Sequence, residues 1–302
     1  MKVLVTGGAG FIGSHLVDKL VELGHSVLVL DNLSNGKKEN VNPKAELHQV
    51  DICDFNTMNL YFKGIDYVFH LAALPRITLS IQDPIGTSKT NIMGTINVFE
   101  ASKQNNIKRV VSTSSSSVYG NQDKLPLKED MIPNPISPYG LQKWVGEKWA
   151  KVYTDTYNLP VVSIRPFNVY GPRIDANSDY SLAIGRFLKQ KSIGNPLPIN
   201  GDGEQTRGYC FVGDLVNAFI LAMQSEKVRG GEVINAGSDK AYSINFLADL
   251  IGGEKVYGSE RPGDIRHTQA DVSLAKELLD WEPKMDFVEG VEITKKWFEK
   301  NN

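Results

Sequence analysis

Only two cysteines, Cys53 and Cys210, occur in 302 residues, too few for a disulfide framework. Each stands in an otherwise apolar stretch, so both read as small buried hydrophobes in a reducing, cytoplasmic compartment. No segment approaches the apolar length needed to span a bilayer, and the run before Gly7 is too brief for a signal-peptide core, so no membrane partner is expected. Neither sign of charge is in excess: 33 Lys and Arg against 35 Asp and Glu give a net charge of -2. That balance leaves no electrostatic footprint for a nucleic acid. The five histidines show no metal-ligand spacing, so no metal is expected. Repeats and low-complexity tracts are missing too, and 41% hydrophobic with 23% charged residues describes an ordinary globular chain.

What the chain does have is a rhythm. Short β-branched runs alternate with helical patterns: Val3 to Thr6, Phe11 to Leu23, Val27 to Leu30, Leu47 to Val50, Tyr67 to Leu71, Thr95 to Gln104 and Arg109 to Thr113. Such alternation argues a doubly wound α/β fold, a parallel sheet with helices on both faces and ligands at the strand C-termini. Pro138 opens a long amphipathic helix carrying Tyr139, Trp144, Trp149 and Tyr153, and Val161 to Ile164 supplies another buried strand. Beyond Arg165 glycine and proline clusters break the rhythm, with helices expected from Asp214 to Gln224, Ile244 to Ile251, Ser273 to Leu279 and Phe287 to Phe298. The expected organisation is a dinucleotide-binding domain over residues 1–165 and a smaller, irregular α/β substrate-binding lobe over 166–302, some of whose segments return to the sheet.

Gly8-Ala9-Gly10-Phe11-Ile12-Gly13 follows the first strand and opens a helix. This is the dinucleotide fingerprint of a Rossmann-type sheet, whose glycines allow a tight turn, backbone approach to a pyrophosphate and close helix packing. Gly7, Gly10, Phe11, Ile12 and Gly13 are therefore cofactor-site candidates. Asp31 ends the next strand at the distance expected of a carboxylate that accepts ribose hydroxyls, and it repels a 2′-phosphate. With Asn32 rather than arginine after it, NAD is favoured over NADP. Asp51-Ile52 follows the third strand, where Asp51 reads either as a partner for the adenine amino group or as a helix N-cap.

Tyr139 and Lys143 lie four residues apart on the long helix, so phenol and ammonium share a face. A nearby cation favours the phenolate, and lowering a tyrosine pKa from about 10 to about 7 requires roughly 4 kcal/mol of differential stabilisation. An oxidised nicotinamide would add to the effect of lysine, coupling cofactor and base. His70 precedes an apolar strand end and reads as a hydrogen-bonded packing residue. The helix tryptophans read as packing, at the core or at a dimer interface.

Taken together, TGGAGFIG, His70-Leu71-Ala72-Ala73, SSSSVYG ending at Gly120, YGLQK, RPFNVYGPR from Arg165, and the late Arg207 and Arg261 resemble the extended short-chain dehydrogenase/reductase superfamily. More narrowly, they resemble its nucleotide-sugar 4-epimerases, over nearly the whole chain. The resemblance implies that Tyr139 is the catalytic base, that Lys143 holds the nicotinamide ribose and lowers the tyrosine pKa, and that Ser115 hydrogen-bonds the sugar hydroxyl. It implies that Leu71, Ala72 and Ala73 line the cofactor with Asn91 in support, that Ser116 and Asn168 contact substrate, and that Arg207 and Arg261 clamp a diphosphate. For the arginines the alternative is an interlobe salt bridge.

Related 4,6-dehydratases carry Asp-Glu before Val-Tyr-Gly, where this chain has Ser116 and Ser117, and related decarboxylases carry a glutamate at the position of Ser117. Both lyase chemistries lack their acid or base here, which leaves oxidation at C4, rotation of the keto sugar and return of the same hydride. Pro198 to Gly201 resembles a uracil-holding segment, with Pro198 and Asn200 as contacts, so the partner is a UDP-sugar. The residue gating the sugar pocket in such enzymes corresponds to Thr268, small enough to admit a 2-acetamido group. Arg173 to Asn177 adds likeness to the N-acetylhexosamine branch. The expectation is interconversion of UDP-GlcNAc and UDP-GalNAc, with UDP-Glc and UDP-Gal alongside, by a homodimer. The rivals are a UDP-glucuronate 4-epimerase using Arg76 or Arg186, a net sugar dehydrogenase or reductase, and a non-catalytic NAD sensor.

Overall fold

The computed structural model describes residues 1–176, 182–260 and 266–301. β1 (Lys2–Thr6) leads into α1 (Phe11–Glu22), followed by β2 (Ser26–Asp31), β3 (Glu46–Gln49), the short α2 (Phe55–Asn59) and β4 (Tyr67–His70). Two short helices, α3 (Ile77–Gln82) and α4 (Pro84–Ser88), pass through a π-turn at 89–94 into α5 (Thr95–Gln104) and then β5 (Arg109–Thr113). The long α6 (Pro138–Tyr157) precedes β6 (Val161–Pro166) and a two-residue β7 (Val169–Tyr170). Next come α7 (Ala183–Ser192), β8 (Leu197–Asn200), β9 (Thr206–Arg207), β10 (Cys210–Phe211), α8 (Val212–Gln224) and β11 (Val233–Ala236). The chain closes with β12 (Tyr242–Ser243), α9 (Ile244–Ile251), β13 (Lys255–Gly258), β14 (His267–Thr268), α10 (Ser273–Leu279) and α11 (Phe287–Asn301).

Seven strands form one parallel sheet in the order β3-β2-β1-β4-β5-β6-β11. The doubly wound expectation is met, and the order changes direction between β1 and β4, the switch point at which open α/β sheets hold ligands. Alternation along β1 explains why both faces are covered. Val3 and Val5 point into a core with Leu16, Leu20 and Phe219 of α1 and α8, while Leu4 points to the opposite core with Phe99 and Tyr153 of α5 and α6.

α6 starts where Ser137 caps it, accepting from the Gly140 amide at 3.1 Å with Pro138 in the first turn, and it ends at the left-handed Asn158. Trp144 and Trp149 pack against separate core clusters. α3 and α4 were not foreseen, because Pro84 interrupts their pattern and Ile77, Ile81 and Ile85 remain exposed. Beyond β6, β11 joins the main sheet, whereas α7, α9 and α11 gather around the paired β8 and β13 through Phe187, Leu197, Leu247 and Ile251. Cys210 is buried as expected. Cys53 is only half-buried, because its sulfur faces the Lys89 carbonyl at 3.5 Å on the exposed edge of the 89–94 turn.

His70 ties the sheet to the helices. Its Nδ1 lies 2.8 Å from the Thr6 hydroxyl and its Nε2 2.9 Å from that of Thr95. The Thr95 hydroxyl donates to the Asn91 carbonyl at 2.7 Å, so Nε2 is the protonated nitrogen and Nδ1 accepts from Thr6. Burial pushes the ring's pKa down to about 3, with the Lys143 charge acting the same way. The native ring is neutral while the unfolded one gains its proton below about pH 6.5, so the contribution is full above that pH and is lost as pH falls towards 3. The expected cost at about pH 5 is about 2 kcal/mol. Urea unfolding at about pH 7.5 and about pH 5 should show that loss in the natural protein and not in His70→Gln.

Candidate active site

The glycine turn after β1 is closely packed. A Cβ on Gly7, whose φ is +74°, would lie 2.6 Å from the Ala72 amide nitrogen, and one on Gly13 would lie 2.1 Å from the Gly7 carbonyl oxygen. The turn therefore lets α1 begin beside the ends of β1 and β4. Gly10 caps the helix without a side chain, leaving the first amides free of an intrachain cap. Its N-terminus opens on a cavity of about 350 Å³ lined by Gly7, Gly10, Phe11, Ile12, Gly13, Asp31, Asn32, Ile52, Leu71, Ala72, Ala73, Tyr139 and Lys143. Asp31 is buried at the cavity's edge and also ties the turn, its two oxygens accepting from the Ala9 amide at 2.9 Å and the Leu33 amide at 2.8 Å.

Two candidates stand outside that lining. Asp51 accepts from the Asn32 side chain at 3.2 Å and the Cys53 amide at 2.8 Å. The cap of α2 is Asp54 instead, which removes the N-cap reading of Asp51. Asn91 is buried and splints the loop after β4, accepting from the Leu74 amide at 2.8 Å and donating to the Leu74 carbonyl at 3.1 Å.

Tyr139 and Lys143 face the same space, the lysine Nζ lying 6.0 Å from the tyrosine ring centre. Nζ donates to the Thr113 carbonyl at 2.8 Å, and the Ser115 side chain acts on the Tyr139 phenol, favouring its ionised form. The electrostatics differ from the expectation. Burial pushes Tyr139 up to about 12, with Ser115 opposing, and pushes Lys143 down to about 8, with Glu147 opposing. Desolvation of the phenolate thus dominates, and the phenol of the protein alone keeps its proton.

A second cavity of about 610 Å³ adjoins the first, with Leu182 lining both. Ser116, Asn168, Pro198, Asn200, Arg207 and Thr268 all line it, as do Ser117 and Arg186. β14 pairs with β9, which sets Thr268 opposite Arg207. The Asn168 amide donates to the Gly208 carbonyl at 3.0 Å and to the Thr268 hydroxyl at 3.1 Å, so the threonine side chain is tethered. Arg261, and Asn177 of the Arg173 segment, lie outside the described residues.

Sequence reasoning missed Ser34, Asn35 and Gly36 beside Asp31, and Thr113 and Ser114 beside Lys143. It weighed Arg76 as a carboxylate ligand. The structure puts Arg76 on the first cavity, paired with Asp175 at 2.6 Å. All these residues follow strand C-termini, where the rule for open α/β sheets would have directed attention.

The glycines are not equivalent. Gly10 has a negative φ, and a Cβ there would meet only the Gly7 carbonyl oxygen at 3.3 Å. Gly13→Ala should therefore cost about 2 kcal/mol or more in denaturant unfolding and Gly10→Ala under about 1 kcal/mol. Equal losses would contradict the packing assigned to the turn.

The chain matches the model of the NAD dependent epimerase/dehydratase family over residues 3–237. It is 38% identical over 99% of its length to a UDP-glucose 4-epimerase of Mycolicibacterium smegmatis, of which it covers 98%. The structure of a UDP-glucose 4-epimerase from Thermotoga maritima with UDP-glucose superposes with a TM-score of 0.95, at 39% identity and 99% coverage of both chains. A UDP-N-acetylglucosamine 4-epimerase from Methanobrevibacter ruminantium, in complex with UDP-N-acetylmuramic acid, matches equally at 0.95 and 39%, over 100% of this chain and 99% of that one. With a switch-point cavity under a glycine turn, a tyrosine–lysine pair facing it and this similarity from end to end, the chain belongs to the NAD-dependent epimerase/dehydratase family of extended short-chain dehydrogenases, and its cofactor is NAD.

Proposed function

We propose that the protein is a UDP-hexose 4-epimerase that interconverts UDP-GlcNAc with UDP-GalNAc and also accepts UDP-Glc and UDP-Gal. The observation that carries this reading is the make-up of the second cavity. Among the described residues its lining holds Arg186 and Arg207 but no Asp, Glu, His, Cys or Lys. Elimination of water or loss of a carboxylate calls for an acid or base beside the keto sugar. Ser116 and Ser117 stand there instead.

The first cavity fits NAD. The uncapped amides of α1 suit a pyrophosphate, the buried Asp31 suits a ribose diol and disfavours a 2′-phosphate, and Leu71, Ala72 and Ala73 give an apolar wall. Lys143 would hold the nicotinamide ribose. When bound, NAD supplies a hydride acceptor whose reduced form returns the hydride, so no cofactor is consumed.

The chain's own part is proton transfer and orientation. The Tyr139 oxygen removes a proton from the sugar 4-hydroxyl and later gives one back, and Ser115 fixes that oxygen in place. Because burial alone keeps the phenol protonated, a cation in the first cavity is required before it serves as a base. Arg207 suits the substrate diphosphate, with its planar fork matched to phosphate oxygens. The small, tethered Thr268 leaves room beside the sugar for a 2-acetamido group. We further infer a homodimer through the helices beside α6, on which Leu141 and Val152 are exposed.

Purified protein incubated separately with UDP-GlcNAc, UDP-Glc and UDP-glucuronate should convert the first two to their 4-epimers without net NADH. Conversion of UDP-glucuronate alone would favour the uronate reading, in which Arg186 meets the carboxylate. Tyr139→Phe should lower turnover about a hundredfold to ten-thousandfold, and full activity in that variant would revive the sensor. Thr268→Tyr should reduce the ratio of acetylated to plain turnover by at least about tenfold; an unchanged ratio would remove Thr268 as the gate.

A further inference from the structure

Three side chains follow one another at one-turn intervals on the same face of α6: Tyr139, Lys143 and Glu147. Three consecutive residues at the end of β5 meet them. The Thr113 carbonyl accepts from Lys143 Nζ at 2.8 Å, the Ser114 hydroxyl donates to Glu147 Oε1 at 2.5 Å, and the Ser115 side chain acts on the Tyr139 phenol, opposing its upward shift. Glu147 is held in turn by Arg165, whose Nε and Nη2 donate to its two oxygens at 2.7 and 2.8 Å. Each of these two side chains is 3% exposed. The guanidinium lies over the Tyr119 ring, 4.6 Å from its centre.

An ion pair buried this deeply costs desolvation, and well-packed apolar residues of the same shape would stabilise the fold as well or better. Packing therefore does not account for it. We propose that Glu147, clamped by Arg165, is a positioning residue for the proton transfer: it locks residues 113–115 in register with α6 and supplies the negative charge that keeps the Lys143 ammonium protonated beside Tyr139. This rests on the reading of Tyr139 as the base.

The surroundings leave that role to Glu147. Lys143 is faced by Tyr139 and Glu147 from its own helix, by the neutral His70 from β4 and by the Thr113 carbonyl from β5. Arg165 from β6 acts on Glu147 and is not among the charges acting on the lysine, and Tyr119 and Glu129 likewise act on the arginine. Glu147 is the anion that opposes the burial of Lys143.

The test is a pH titration of the NAD-loaded protein, read as tyrosinate absorbance with the Tyr139→Phe signal subtracted. Glu147→Gln keeps the shape and the acceptor for Ser114 but removes the charge. It should raise the Tyr139 midpoint by about one pH unit with NAD affinity unchanged below that midpoint, which a merely structural contact would not do. A midpoint equal to that of the natural protein, with NAD still bound normally, would overturn the proposal. Should Glu147→Gln fail to fold because Arg165 is left unpaired, Ser114→Ala keeps the ion pair and carries the test. It should move the midpoint in the same direction by loosening Ser115, and no movement would again overturn the idea. Since the titration involves no sugar, failure of every UDP-hexose to turn over would count against the epimerase reading and leave this result independent.

Discussion

A phenol buried beside an ammonium group is the constraint on which the rest of this site depends. Burial pushes Tyr139 up to about 12 and Lys143 down to about 8, so enclosure works against both charges at once. Both line the first cavity and both are buried, so solvent does not relieve the cost. The fold answers by tying the lysine to the Thr113 carbonyl and by placing the Ser115 side chain where it favours the phenolate. What the protein does not provide is enough positive charge to free the phenol's proton. On the proposed reading that remaining charge comes from an oxidised nicotinamide, so the base would depend on the cofactor it works with.

The architecture follows from the same requirement. β1 and β4 end at the switch point, the glycine turn brings α1 against them, and α6 crosses the end of β5 with its reactive face turned to the cavity. Deeper in the sheet, His70 links β1, β4 and α5 through two threonine hydroxyls. The second cavity is assembled from more distant segments, with β9 and β14 setting Arg207 beside Thr268 and the loop after β5 contributing Ser116. Its lack of carboxylates among the described residues separates the epimerase reading from the lyase chemistries of related enzymes.

Much of this was legible in the sequence, and the reason is locality. The first strand, the glycine turn and α1 form one continuous signal, and the four-residue spacing of Tyr139 and Lys143 fixes their common face wherever the helix lies. Thr268 and Asn168 were placed by resemblance, and the structure brings both to the second cavity. The return of β11 to the sheet was less legible, since pairing with β6 is a long-range event without a local mark. The direction of the Tyr139 shift was misread for a similar reason, because spacing reveals the neighbouring cation but not the depth of burial. In the sequence Glu147 carries no motif and Arg165 enters only as the first residue of RPFNVYGPR. Only the packing of α6 on β6 shows that they are interior.

The Tyr139 phenol is protonated in the protein alone and, on the proposed reading, becomes a base when the cofactor's positive ring arrives. Calorimetric titration of NAD-free protein with NAD, repeated near neutral pH in buffers of different ionisation enthalpy, measures the protons exchanged on binding. The account predicts net proton release with NAD that is abolished in Tyr139→Phe and absent with NADH, whose ring is uncharged. Equal proton exchange for NAD and NADH, or release that survives in Tyr139→Phe, would contradict it.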